Sequence, residues 1–473
     1  MYELFSKAVE ATSNIMYSYL LIVLLLAVGL YFTFRTKFVQ FRLLGESVRL
    51  VTEKSEGDHS VSAFQALMVS TASRVGTGNI VGVANAIAIG GYGAVFWMWI
   101  IAIVGGASAF IESTLAQIYK KNNGKGGSYG GPAYYIEAAL GKRWLGVVFS
   151  VALIATYAVG FNMLCSFNLV TSLSQYSFYG DPATSKVPLI CGAVLAVLVA
   201  ICVLGGGKRI IQVTSFLVPV MGVTYIIMAL IAMVLNIGNL PMVFREIFVG
   251  AFDFRAIFGG FAGSALMQGI KRGLYSNEAG VGSAPNAAAA ADVSHPVKQG
   301  LVQMLSVFID TLLICTATAM MCLSSGITPS PELSGAPFVQ TALASTFGSF
   351  GPCFITFSLL LFAFTTLIGN LFYCENCLNY IAGRTLSVKF MKGFNVAASV
   401  IVFVGALLDF GLVWNLADVL MGIMAIINLP IIVLLGKPAI AAMNDYIKQR
   451  KAGENPVFKA ASIGLEQKTD FWN

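Results

Sequence analysis

The sequence predicts an all-α integral membrane protein of about eleven transmembrane helices. Three observations carry that expectation. The chain is 57% hydrophobic and only 11% charged, with a mean hydropathy of +0.80. Soluble domains carry about 25% charged residues, so this chain has too few to coat a water-facing surface. Apolar runs of membrane-crossing length recur near 13–34, 62–90, 93–119, 145–173, 187–205, 210–235, 256–285, 299–323, 352–381, 394–410 and 412–436. Basic side chains gather in alternate loops, as crossings of one orientation require.

The first run lacks a small-residue cleavage site, so it is expected to remain a helix rather than a removed signal peptide. The loop after it holds Arg35, Lys37, Arg42, Arg49 and Lys54, and the loop after the third run holds Lys120, Lys121, Lys125, Lys142 and Arg143. Lys208, Arg209, Lys298, Arg384, Lys389, Lys392 and the basic C-terminal tail continue on that side, against Lys7, Lys186, Arg245 and Arg255 on the other. This asymmetry predicts an outside N-terminus and a cytoplasmic C-terminus in a plasma membrane, the bacterial inner membrane. The net charge of +7 is scattered over short loops and does not point to nucleic acid. No loop is long enough for a soluble domain. The eight cysteines lie mostly in apolar runs and read as small hydrophobes. Cys374 and Cys377 have no second pair for zinc and no thioredoxin-like surroundings. His59 and His295, expected in cytoplasmic loops, make no metal cluster.

Two runs break the rule of a continuous apolar helix. The second contains Ser70-Thr-Ala-Ser-Arg-Val-Gly-Thr-Gly-Asn79, and the seventh contains Gln268-Gly-Ile-Lys-Arg-Gly-Leu-Tyr-Ser-Asn-Glu-Ala-Gly280. Each internal glycine weakens a helix by about 1 kcal/mol. Polar, glycine-rich backbone persists at membrane depth only where it lines a cavity or packs in protein. An unwound turn exposes N–H groups suited to a carboxylate and carbonyls suited to a hard cation such as Na⁺. The two interruptions lie five runs apart, so a five-helix repeat would insert its second copy upside down, the arrangement of many secondary transporters. Gly105-Gly106 and Gly205-Gly206-Gly207 read instead as close helix packing.

Residues 75–80 (Val-Gly-Thr-Gly-Asn-Ile), 94–99 (Ala-Val-Phe-Trp-Met-Trp), 130–135 (Gly-Gly-Pro-Ala-Tyr-Tyr) and 271–280 (Lys-Arg-Gly-Leu-Tyr-Ser-Asn-Glu-Ala-Gly) resemble the alanine or glycine:cation symporter family, over about residues 30 to 437. The resemblance implies a LeuT-type fold: an extra helix and connector at 1–60, repeats at 61–240 and 241–437, and a cytoplasmic tail at 438–473. It implies Na⁺-coupled uptake of small neutral amino acids, with no cofactor beyond the coupling ion. By similarity, Gly76, Thr77, Gly78 and Asn79 would meet the substrate, while Ala72, Val75, Thr365 and Thr366 would hold sodium. Gln268, Gly273 and Ser276 on the second interrupted helix, Phe161 as an aromatic cover and Thr366 complete the expected substrate site. Many family members carry tryptophan where this chain has Asn370, in Gly369-Asn-Leu-Phe-Tyr-Cys-Glu375. A smaller residue there implies a range reaching serine or somewhat larger neutral side chains.

Arg74 either binds a carboxylate directly or pairs with an embedded acid. Lys271 and Arg272 either snorkel to the cytoplasmic face or contribute to an inner gate. Glu112, Asp310, Glu375 and Asp418 fall within runs, as proton relays or as paired ions. Phe161 and Phe167 are gate or core. Trp97 and Trp99 fit an interfacial belt. The segment Gly124-Lys-Gly-Gly-Ser128 lacks P-loop spacing, so an ion gradient is the expected energy source. Proton coupling and an amino-acid receptor or channel on the same scaffold stand as alternatives. No grouping of nucleophile, base and orienting residue suggests an enzyme.

Overall fold

A computed structural model describes residues 2–53, 61–124, 127–181, 184–253, 260, 263–465 and 469–472. Lys54, His59, Lys125 and Arg255, named above, and Lys468 of the basic tail lie outside the described residues.

Helices account for nearly all regular structure. In chain order they are α1 (Tyr2–Arg35), α2 (Ala63–Arg74), α3 (Gly78–Gly90), α4 (Gly93–Ile118), α5 (Pro132–Leu140), α6 (Arg143–Gln175), α7 (Val187–Val203), α8 (Gly206–Leu235), α9 (Leu240–Ala251), α10 (Ala265–Asn277), α11 (Pro285–Ala288), α12 (Pro296–Ser324), α13 (Gly335–Phe347), α14 (Phe350–Ala382), α15 (Val388–Gly405) and α16 (Phe410–Lys451). Short helical turns at Val39–Arg42 and Leu44–Val51 join α1 to α2. A two-stranded hairpin, Lys121–Asn122 against Ser128–Tyr129, follows α4.

Among the described residues, eight helices are long and apolar enough to cross a membrane: α1, α4, α6, α8, α12, α14, α15 and α16. An eleven-crossing reading needs the broken pair α2–α3, the short α7 and the broken pair α10–α11 in addition. The last helix extends beyond the expected 412–436 and runs to Lys451, so the tail boundary at 437 falls inside it.

Local chemistry sets the ends. Ser62 and Gln65 form a reciprocal capping box at the start of α2. Ser264 and Asp409 cap α10 and α16. Proline opens α5, α11 and α12, where its missing N–H costs nothing. Four helices carry wide π-turns, three near mid-length, Met16–Leu21 in α1, Ala155–Phe161 in α6 and Phe308–Cys315 in α12, and one at the start of α3, Gly78–Gly82.

α4 is the central post. It packs against α1, α10 and α12, and small residues permit the approach. A Cβ on Gly105 would lie 2.9 Å from the Ala279 Cβ. Trp97 and Trp99, expected at an interface, each donate the indole N–H inward, to the Ala251 carbonyl (2.9 Å) and the Thr316 hydroxyl (2.8 Å).

The tail after α16 is docked rather than loose. Phe458 and Trp472 are buried, and the Trp472 indole donates to the Gln117 carbonyl (2.7 Å). Lys120, just past α4, points its ammonium at the rings of Phe471 and Trp472. Burial pushes that ammonium down to about 7. His295, expected in an open loop, is buried; it caps α12 and faces Asp445 at 3.4 Å.

Candidate functional site

The first interruption is a true break. α2 makes its last turn at Arg74. Val75 then leaves helical geometry (φ −75°, ψ 83°), and α3 restarts at Gly78. The turn is capped from within its own segment: the Gly76 N–H donates to Asn79 Oδ1 at 2.8 Å. Asn79 is fixed in turn, because its amide donates to Asp310 Oδ1 (2.7 Å) and Ser276 Oγ (3.0 Å). Ser276 and Thr311 also donate to Asp310. Asp310 is therefore a buried carboxylate held by neutral donors, with no ion pair among the described residues.

The second interruption lies later than the sequence suggested. α10 is regular through Asn277, so Gln268, Gly273 and Ser276 all stand on intact helix. The chain breaks at Glu278, a non-glycine residue in the left-handed region (φ 52°), followed by Gly280 (φ 82°) and Gly282 (φ 90°). Gly269 and Gly273 serve packing instead. A Cβ on either would meet α4, at 2.4 Å from the Ala94 carbonyl or 2.5 Å from Ile101 Cγ2. Support for this break comes from distant helices. Glu112 accepts from the Gly280 N–H (3.2 Å), and the Asn428 amide donates to Glu112 (2.9 Å) and to the Gly280 carbonyl (2.9 Å). Tyr135 donates to Asn428 at 2.5 Å.

The two breaks meet at a cavity of ≈ 10 Å³, about one water molecule's room and less than an amino acid needs. Its walls are Ser73, Arg74, Gly76, Thr77, Gly78, Phe161, Cys165, Tyr275, Glu278 and Thr366. Gly76, Thr77, Gly78, Phe161 and Thr366 were expected there. Asn79 and Ser276 stand just behind the wall in the Asp310 cluster. Asn370 also stands one layer back, accepting from Ser73 Oγ (2.7 Å) and donating to Asn162 (3.0 Å). Gln268 is remote, packed beside Gly90 at the far end of α3, and Gly273 faces α4.

Of the oxygens expected around sodium, the structure brings two together: the Thr366 hydroxyl donates to the Ala72 carbonyl at 3.0 Å. Val75 is the buried residue that ends α2. The Thr365 hydroxyl is turned away, to the Leu361 (3.0 Å) and Phe362 (3.2 Å) carbonyls of its own helix. Both are hard oxygens of the kind Na⁺ prefers.

Ser73, Cys165, Tyr275 and Glu278 were missed as wall residues, while Arg74 was expected either here or paired with an embedded acid. Cys165 lies one helical turn beyond Phe161, so the i, i+4 rule places it on the same face. Tyr275 and Glu278 belong to the 271–280 motif itself.

Over the cavity runs an aromatic chain. Tyr157 meets Phe161 (4.9 Å), Phe161 meets Tyr275 (4.9 Å) and Tyr275 meets Trp414 (5.3 Å). Arg272 stacks on Trp414 (4.3 Å) and pairs with Asp418 at 3.0 Å; Lys271 pairs with the same carboxylate at 2.8 Å and donates to Ser13 on α1 (3.0 Å). Lys271 and Arg272 are thus buried ion partners near the start of α16, at the end away from the tail, rather than cytoplasmic snorkelling groups. Asp418 is a paired ion. Phe167 packs on Phe410 (6.1 Å), beyond the cavity.

The fold resembles that of MhsT solved with L-phenylalanine: TM-score 0.53, 17% identity, covering 87% of this chain and 92% of that one. A manganese transporter from Eremococcus coleocola matches at TM-score 0.50. These neighbours fix the architecture as LeuT-type. The amino-acid carrier protein AlsT of Bacillus subtilis is 44% identical over 472 residues, 100% of this chain and 98% of AlsT. From the same organism, a protein named "Probable sodium/glutamine symporter GlnT" is 45% identical, covering 97% of this chain and 94% of its own length. The sodium/alanine symporter AgcS of Methanococcus maripaludis is 38% identical, covering 94% and 98%. The sodium:alanine symporter family model matches residues 2–460, and the chain belongs to that family of sodium-coupled amino-acid transporters.

Proposed function

We propose that the chain imports small neutral amino acids together with Na⁺ by alternating access, with its N-terminus outside and its C-terminal tail in the cytoplasm of a bacterium. The observation that carries this reading is the first break. One short turn presents Gly76, Thr77 and Gly78 to a central cavity, while the Ala72 carbonyl beside it meets the Thr366 hydroxyl. The turn suits the substrate carboxylate and the oxygen pair suits sodium, so both ligands are bound by the same few residues and each favours the other. The two breaks then belong to two inverted five-helix repeats, 61–240 and 241–437. The substrate range is alanine, glycine and serine, extended toward somewhat larger neutral side chains because Asn370, one layer behind Ser73, is smaller than the tryptophan many family members carry there.

The test is uptake of radiolabelled alanine into proteoliposomes. Uptake should require an inward sodium gradient and should be competed by glycine and serine. Thr366→Val keeps the side-chain shape and removes one oxygen, so half-maximal uptake should need about tenfold more sodium. Uptake driven by a pH gradient in sodium-free buffer would instead favour proton coupling. The observation behind that second reading is Asp310, a buried carboxylate whose partners are all neutral.

A further inference from the structure

Among the described residues, two charged walls of the cavity have no ion partner. Arg74 is 2% exposed, and its Nη1 reaches the Gln303 carbonyl at 3.4 Å. Its Nε and Nη2 have no hydrogen-bond partner among the described residues. Buried guanidinium groups carry five donors and are almost always paired, because desolvating an unpaired ion costs several kcal/mol. Glu278 is 1% exposed and accepts from the Ser283 hydroxyl at 2.6 Å. Its backbone is held in the left-handed region, a strained conformation for a glutamate and one that clusters at ligand sites. Both residues line the same cavity, and no ion pair within 4.0 Å joins them. Arg74 acts electrostatically on Glu112, Asp310 and Glu278 without an ion pair to any of them among the described residues.

We propose that Arg74 and Glu278 are the two charged ends of the substrate cradle, Arg74 meeting the carboxylate and Glu278 the ammonium of a zwitterionic α-amino acid. Each residue sits at one of the two breaks, so the scaffold fixes their separation independently of their mutual attraction. A ligand carrying both charges satisfies both walls at once. A ligand carrying one charge leaves the other wall buried and unpaired, which is the strongest form of rejection a polar site has. Side-chain size is then read separately, by Phe161 and the residues behind Ser73. The assignment rests on the amino-acid reading above and goes further by naming which side chains select a zwitterion.

The test pairs residues with ligand groups. Purified protein in sodium buffer is loaded with radiolabelled L-alanine and competed with L-lactate, which replaces the ammonium by hydroxyl, or L-alaninamide, which neutralises the carboxylate. Wild type should prefer alanine to either by about 100-fold or more. Glu278→Gln should weaken alanine roughly 10- to 100-fold while leaving lactate unchanged, so the alanine-to-lactate preference shrinks. Arg74→Gln should shrink the alanine-to-alaninamide preference in the same way. Sodium-dependent thermal stabilisation reports folding. Where a glutamine variant lacks it, Glu278→Asp and Arg74→Lys, which keep the charge, should give the same selective loss in weaker form. Unchanged alanine affinity, or a loss that leaves both preference ratios intact, would overturn the assignment and leave Arg74 as a structural counter-ion to the surrounding acids. Wild type that fails to bind alanine in sodium would overturn the transport reading itself, a separate outcome.

Discussion

The two breaks solve one problem in different ways. At the first, Val75–Thr77, the free N–H is met from within the segment, Asn79 capping Gly76, while the freed Ala72 carbonyl takes a hydroxyl from Thr366 on α14. The second, at Glu278–Gly282, is satisfied from afar, by Glu112 on α4, Asn428 on α16 and, through Asn428, Tyr135 on α5. A turn whose N–H is capped within its own segment depends less on its neighbours. A turn held by three other helices follows them. The first break therefore suits ligand recognition, and the second suits the coupling of recognition to helix movement.

That contrast can be broken by substitution. The largest effect is expected at Gly78, where a Cβ would stand 2.3 Å from Tyr275 Cε1. Gly78→Ala overpacks the cavity by about 1–3 kcal/mol, so alanine affinity should fall about 10- to 100-fold while sodium still raises the melting temperature. Equal affinity in a binding assay would remove this turn from the site. Next comes Asn428→Ala, which strips the second break of its central amide and leaves the Gly280 carbonyl and Glu112 short of a donor. It should lower folding stability by about 3 kcal/mol, read as a drop in melting temperature, with alanine affinity less affected than by Gly78→Ala. A melting temperature equal to wild type would show that the second break stands without α16. The smallest effect is expected from Thr365→Val. Its hydroxyl bonds to the Leu361 and Phe362 carbonyls of its own helix and donates to the Met221 sulfur at 3.5 Å. Sodium dependence of uptake should stay close to wild type; a loss as large as that of Thr366→Val would mean that Thr365 turns toward the ion during transport.

How much of this was legible in the sequence depends on how local the cause is. Gly76-Thr77-Gly78 announces a break because two glycines and a polar residue have no other use at membrane depth. The same logic misplaced the second break. Gly269 and Gly273 look identical to breaking glycines in sequence, yet they exist to let α10 lie against α4, and only the backbone shows that the positive φ values belong to Glu278, Gly280 and Gly282. Thr365 and Thr366 form a hydroxyl pair in sequence but project about 100° apart on a helix, so they cannot both face Ala72. Lys271 and Arg272 found their partner in Asp418, 147 and 146 positions away, a pairing no local pattern encodes.

The π-turns have a mechanical consequence. A wide turn holds one residue more than the regular helix, and that surplus can migrate along the helix without unfolding either end. Each one-residue step rotates the intervening side chains by about 100° and advances them by about 1.5 Å. Gly78 begins one such turn, Phe161 ends another and Asp310 lies inside a third. The floor, cover and support of a cavity of ≈ 10 Å³ thus stand on three helices that each carry a π-turn, a departure from regular helix that gathers at functional sites.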